Sequence, residues 1–181
     1  MKNQMICTVM LITLTACASA RSNSYYTLSP SIPAPQASPA KPVAENWTLA
    51  PLTIPEVLNR PQIIRKSGAN KIDILEYDRW AEPMDSMIYR TLADDLTARM
   101  GMSAGSASQT TEQRIAVAID EFDADADGNV FLTATWTVQK DETTTSHIFQ
   151  HSEKSSANDF ASIAAAMSRL LGNLADAIAG G

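Results

Sequence analysis

The chain has 181 residues, 45% of them hydrophobic and 19% charged, which is the balance of one ordinary globular domain and excludes both a disordered chain and a polytopic membrane protein. Lys and Arg total 14 against 20 Asp and Glu, for a net charge of −6 and a pI near 4.8. No cluster of Lys or Arg offsets that balance, so nucleic acid is not an expected partner.

Met1 to Gln4 carries one positive charge, and Met5 to Leu14 is an apolar run of about ten residues, where a bilayer-crossing helix needs roughly 20. The small residues Thr15 and Ala16 follow, completing the layout of an export leader. The boundary Leu14-Thr15-Ala16-Cys17 resembles the bacterial lipobox. That resemblance implies cleavage before Cys17, a diacylglyceryl group on its thiol and acylation of the new amine. Cys7 leaves with the leader, residues 1–16, so the mature chain can form no internal disulfide. One acyl chain anchors only marginally, whereas three on one residue hold a protein on a membrane essentially permanently. In lipoproteins an Asp after the cysteine commonly retains the protein at the inner membrane. Ala18 stands there instead, which implies the periplasmic face of the outer membrane.

Residues 17–46 form the next unit. Five of the nine prolines fall at positions 30, 33, 35, 39 and 42 among Ser and Ala, and proline disfavours helix, so this stretch is expected to be an extended tether. About 25 such residues at ~3.1 Å each would reach on the order of 75 Å. Tyr25-Tyr26-Thr27-Leu28 interrupts it, either as aromatic flecks in a tether or as a first strand docked on the domain.

A single domain is expected over residues 47–181. Trp47 to Leu52 reads as a strand, and Gln62 to Ser67 with Lys71 to Tyr77 as a hairpin across Gly68-Ala69-Asn70. Met84, Met87, Ile88, Leu92, Leu96 and Met100 recur at helical spacing, with Pro83 suited to the first turn and Gly101 to the stop. After a polar loop to Thr111 come three β-rich runs, Arg114 to Phe122, Val130 to Lys140 and Thr143 to Gln150. A last helix, capped by Asn158, aligns Phe160, Ile163, Met167, Leu170, Leu171, Leu174 and Ile178, with Gly172 a mild weak point. The order βββαβββα predicts an α+β fold, an antiparallel sheet with two helices packed on one face.

Signatures of catalysis are missing: no Gly-x-Ser-x-Gly, P-loop or Gly-x-Gly-x-x-Gly occurs. The expectation is therefore a protein that is not an enzyme and takes no cofactor. Asp123-Ala124-Asp125-Ala126-Asp127-Gly128 copies the first half of an EF-hand loop, but Ala134 stands where a bidentate Glu belongs, and Asp127-Gly128 between two strands is hairpin-turn chemistry. His147 and His151 would share a face, yet zinc wants three or four ligands and Glu153 is the lone carboxylate nearby. No metal is expected, and the two imidazoles read as solvated.

Arg60-Pro61-Gln62-Ile63-Ile64-Arg65 and the run from Asn70 through Tyr77-Asp78-Arg79-Trp80-Ala81-Glu82-Pro83 resemble the ABC-type transport auxiliary lipoprotein family. The likeness extends to Tyr25 to Leu28, the helix from Asp85, and the Asp-rich turn followed by Val130 to Trp136. It implies an accessory lipoprotein of an MCE-type lipid transport system, receiving the distal end of a trans-periplasmic tunnel and partnered by its MCE-domain protein. Gln62, Asp78, Arg79, Trp80 and Glu82 are the candidate partner-binding residues, because Trp and Arg most often anchor interfaces. Each has a structural alternative: Gln62 and Arg65 as edge-strand polar residues, Arg79 paired with Asp78 or Glu82, Trp80 as a plug at the strand-to-helix corner. A stand-alone lipoprotein that binds a cell-wall or glycan ligand is the other functional class, and a homo-oligomer is left open.

Overall fold

A computed structural model describes residues 22–32, 46–101, 112–156 and 159–181. Cys17 and the residues before it, most of the Pro-rich stretch, the loop to Thr111 and Asn158 lie outside the described residues. Among those described, the strands are β1 (Ser24–Tyr26), β2 (Asn46–Leu49), β3 (Gln62–Gly68), β4 (Lys71–Trp80), β5 (Glu112–Asp125), β6 (Asn129–Lys140) and β7 (Thr143–Lys154). The helices are α1 (Met84–Met100) and α2 (Phe160–Gly180).

Alternation makes the sheet. Along β6, Val130, Leu132, Ala134 and Trp136 turn inward and are buried, while Phe131, Thr133 and Thr135 face out, the two-residue period of a half-covered strand. The strand order is β1-β4-β3-β5-β6-β7, with β2 also on β5. The expected hairpin β3–β4 and meander β5–β6–β7 are antiparallel. The sheet as a whole is mixed, because β1 runs parallel to β4, β2 parallel to β5, and β3 parallel to the end of β5. Gln62 and Arg65 are consequently not edge residues: β3 lies between β4 and β5, and Arg65 faces Asp73 across the ladder, 3.8 Å away.

Both helices cover the same face, giving the α+β fold. Met84, Met87, Ile88, Leu92 and Leu96 of α1 and Ile163, Met167, Leu170, Leu171 and Leu174 of α2 are all buried, the apolar stripe their spacing predicts. Helix α1 begins after Pro83 and stops at Gly101, whose φ of 87° is a left-handed value that suits glycine. Asp159 caps α2 by accepting from Ala161 N–H. At the β5–β6 hairpin, Asp125 accepts from the backbone N–H groups of Asp127 and Asn129 at 2.9 Å each, and Gly128 takes φ 82°. The acidic run is turn chemistry here. The imidazoles are not simply solvated: His147 stacks on Trp136 and His151 on Phe149, with ring centres 4.9 and 4.5 Å apart.

The stretch before Trp47 departs most from expectation. Tyr25–Leu28 belongs to the folded body: β1 pairs with β4, Leu28 is buried, and Tyr26 meets Phe160 edge-on. The chain then crosses the helices as a strap that ends in a buried carboxylate. Asp95 Oδ1 accepts from Ser31 N–H at 2.9 Å, from the Ser31 hydroxyl at 2.7 Å and from Arg99 at 3.0 Å. Arg99 also donates to Asp176, to Ser31 Oγ and to the carbonyl of Gly172. Residues 24–32, which fall within the stretch expected to be a tether, are thus packed on the folded body.

The strap explains Gly172. A Cβ built there would sit 2.4 Å from Ser31 Oγ and 2.5 Å from Ser31 Cβ. Alanine normally favours a helix interior over glycine by roughly 1 kcal/mol. Here the clash reverses the sign, and Gly172→Ala should lower stability by about 1–3 kcal/mol, as overpacking does. Urea unfolding at equilibrium measures it, and a stabilised variant would show that the strap is not seated on α2.

Candidate functional site

The five residues singled out from the sequence gather at the corner where β4 runs into α1. Local chemistry sets the corner: Trp80 ends the strand with its N–H on the carbonyl of Pro61 at 2.8 Å, and Pro83 starts the helix. In the β3–β4 ladder, register slips between Gln62 and Ile63, so that Gln62 faces Arg79 while Ile63 faces Leu75. The bulged stretch of β4 increases local twist and re-aims its side chains, as bulges do.

Each side chain has a definite place. Trp80 is 6% exposed, a plug under the corner as its structural alternative supposed. Arg79 pairs with neither Asp78 nor Glu82. Its guanidinium instead donates to the Glu76 carbonyl at 3.2 Å and to the Glu76 carboxylate at 3.4 Å. Asp78 accepts from the Tyr26 hydroxyl at 3.0 Å, tying β1 to β4. Burial, reinforced by that hydrogen bond, pushes the Tyr26 phenol above its ordinary range. Glu82 reaches along α1 to Arg90, 2.6 Å away, and that bond holds its carboxyl below the usual carboxylate range.

Between the strand end and the preceding loop lies an open groove of about 420 Å³, lined by Asn59, Arg60, Pro61, Trp80, Ala81, Glu82 and Pro83. Trp80 supplies its apolar floor and Glu82 a charge at its rim. Sequence reasoning missed Asn59 and Arg60. Arg60 Nε is buried with no hydrogen-bond partner among the described residues, a donor whose capacity is unused there. The Arg60-Pro61-Gln62 run was the available signal, since Pro61 ends the loop against Trp80.

No match was found among curated proteins. Two crystal structures share the fold. One, of an uncharacterized protein, superposes with a TM-score of 0.74 at 16% identity over 88% of this chain and 97% of its own. The other, protein XCC0632 from Xanthomonas campestris, gives 0.66 at 16% identity over 87% and 93%. The family model described as the ABC-type transport auxiliary lipoprotein component matches residues 26–179, from the first strand to the end of the last helix. The chain therefore belongs to the ABC-type transport auxiliary lipoprotein family.

Proposed function

We propose that this protein is a non-enzymatic accessory subunit of an MCE/ABC-type lipid transport system, held by acylated Cys17 on the periplasmic face of the outer membrane and docking the distal end of the MCE tunnel. The observation that carries the reading is the family match over nearly the whole folded body, residues 26–179. The corner groove supplies a recognition surface with residue types that anchor protein interfaces, Trp80 and Arg60 in its lining with Glu82 beside them. The partner is a tunnel-forming MCE-domain protein, and no cofactor is required.

Co-purification tests it. The lipidated protein should retain an MCE-domain protein from detergent extracts, and Arg79→Glu should weaken that capture. Among the described residues the Arg79 guanidinium bonds only Glu76 oxygens, in an exposed setting, so the charge reversal should cost less than about 1 kcal/mol of stability. Trp80→Ala removes a buried ring and should cost roughly 3–5 kcal/mol as well as capture. Unchanged capture by a folded Arg79→Glu variant would move the interface away from this corner.

A further inference from the structure

The sheet has two unlike faces. Helices α1 and α2 cover one. Among the described residues no helix covers the other, and on its β1–β4 side it presents large apolar and aromatic side chains to solvent: Tyr25 is 63% exposed, Ile74 52%, Ile72 45% and Tyr77 40%. The ladders place them together. Tyr25 pairs with Arg79, two residues beyond Tyr77, while Ile72 and Ile74 face Lys66 and Ile64 on β3. Ile148, 78% exposed, stands far away on β7.

Chain length says what lies opposite. With β1 docked on β4, the domain is not on a long tether: five residue steps separate Cys17 from Ser22, and such a span reaches at most roughly 18 Å even when fully extended. An acylated Cys17 would hold Ser22, two residues before β1, within about that distance of the lipid-bearing residue. We propose that the bare β1–β4 face, with Tyr25, Ile72, Ile74 and Tyr77, rests on the phospholipid bilayer surface. This rests on the reading of Cys17 as the lipid anchor.

The residue types agree with the site. Tyrosine gathers where membrane meets water; the two cations beside the patch, Lys71 and Arg79, are paired with Asp73 and Glu76, so the contact is carried by the apolar and aromatic side chains. Four partly exposed side chains make too small a patch for a stable protein interface, which buries upward of about 1,000 Å². A short leash changes that requirement, because it turns a weak surface contact into an intramolecular one at high effective concentration. No described helix is long and apolar enough to cross the membrane.

The test uses the full lipidated protein in vesicles of phosphatidylethanolamine and phosphatidylglycerol. Since Cys7 leaves with the leader and Cys17 is acylated, Ile74→Cys creates a unique thiol for an environment-sensitive fluorophore. Asp94→Cys, on the exposed side of α1, is the control. Lipids carrying a quencher near the headgroup should quench the Ile74→Cys label several-fold more strongly than the Asp94→Cys label, with Ile72→Cys behaving like Ile74→Cys. Equal quenching at both positions, in protein whose acylation at Cys17 is verified by mass spectrometry, overturns the proposed face and leaves the anchor standing. An Ile74→Cys label shielded without lipid quenching, and only at high protein density, assigns the face to a second copy and also overturns it. An unmodified Cys17 removes the anchor and this inference together.

Discussion

Replacing Asp95 by alanine is expected to lower the stability of the domain by about 3–5 kcal/mol, the usual consequence of removing one member of a buried ion pair. Asp95 is fully buried, and one oxygen collects the Ser31 N–H, the Ser31 hydroxyl and the Arg99 guanidinium. Its loss strands two donors of the strap and leaves Arg99, whose side chain is 10% exposed, to pair with Asp176 alone. The expected fall in Tm is on the order of 10 °C for a domain of this size. Asp95→Asn keeps an acceptor oxygen for Ser31 and should fall between wild type and alanine. Limited proteolysis adds a local readout: in Asp95→Ala, cleavage near Ser29 to Ile32 should precede cleavage in the meander. A melting temperature within a degree or two of wild type would mean that the strap is held by its apolar contacts, chiefly Leu28, and that the Asp95 network is incidental.

What the sequence revealed, and what it hid, divides along locality. Helix α1 was legible because Met84, Met87, Ile88, Leu92 and Leu96 repeat at the helical period, and that period depends on neighbouring residues only. The antiparallel hairpins were legible for the same reason, from short turns between alternating runs. Parallel pairing leaves no such trace. β1 meets β4 across more than fifty residues, and three residues, Ser24 to Tyr26, contain nothing that specifies their neighbour. Asp95 is the sharpest case. In the run Ala93-Asp94-Asp95-Leu96 it reads as one of two surface acids on a helix, and its burial follows from Ser31, 64 positions earlier. Gly172 read as a weak point of α2 for want of the same partner. At the candidate site, composition singled out Trp80 and Arg79, yet Arg79 chose Glu76 over both expected carboxylates. The bulge between Gln62 and Ile63 shifts register there, and a register shift is a property of two strands that neither displays alone.

Trp47→Ala is expected to be the other severe substitution, with a loss of roughly 3–5 kcal/mol for the deleted ring alone. Trp47 is 1% exposed and sits on the short strand β2, where its partner in the ladder is Gln113. Its indole N–H donates to the carbonyl of Gly101 at 3.2 Å, at the point where α1 ends. Helix ends leave their last carbonyls without intrahelical partners, and this one is satisfied by a residue from the opposite layer, so a single side chain both fills the core and fastens helix to sheet. Two substitutions separate those roles. Trp47→Phe keeps most of the ring and drops the donor, and should cost about 1–3 kcal/mol for the carbonyl left unsatisfied. Trp47→Ala adds the cavity. Amide exchange locates the effect: in Trp47→Phe the last turn of α1, Thr97 to Gly101, should lose protection while the centre of β6 keeps it. Uniform loss across the domain would show that the indole contributes by packing only. Loss confined to the helix end would establish Trp47 as the cap that holds α1 against β2, and with it the route by which a four-residue strand at the start of the domain determines where the first helix stops.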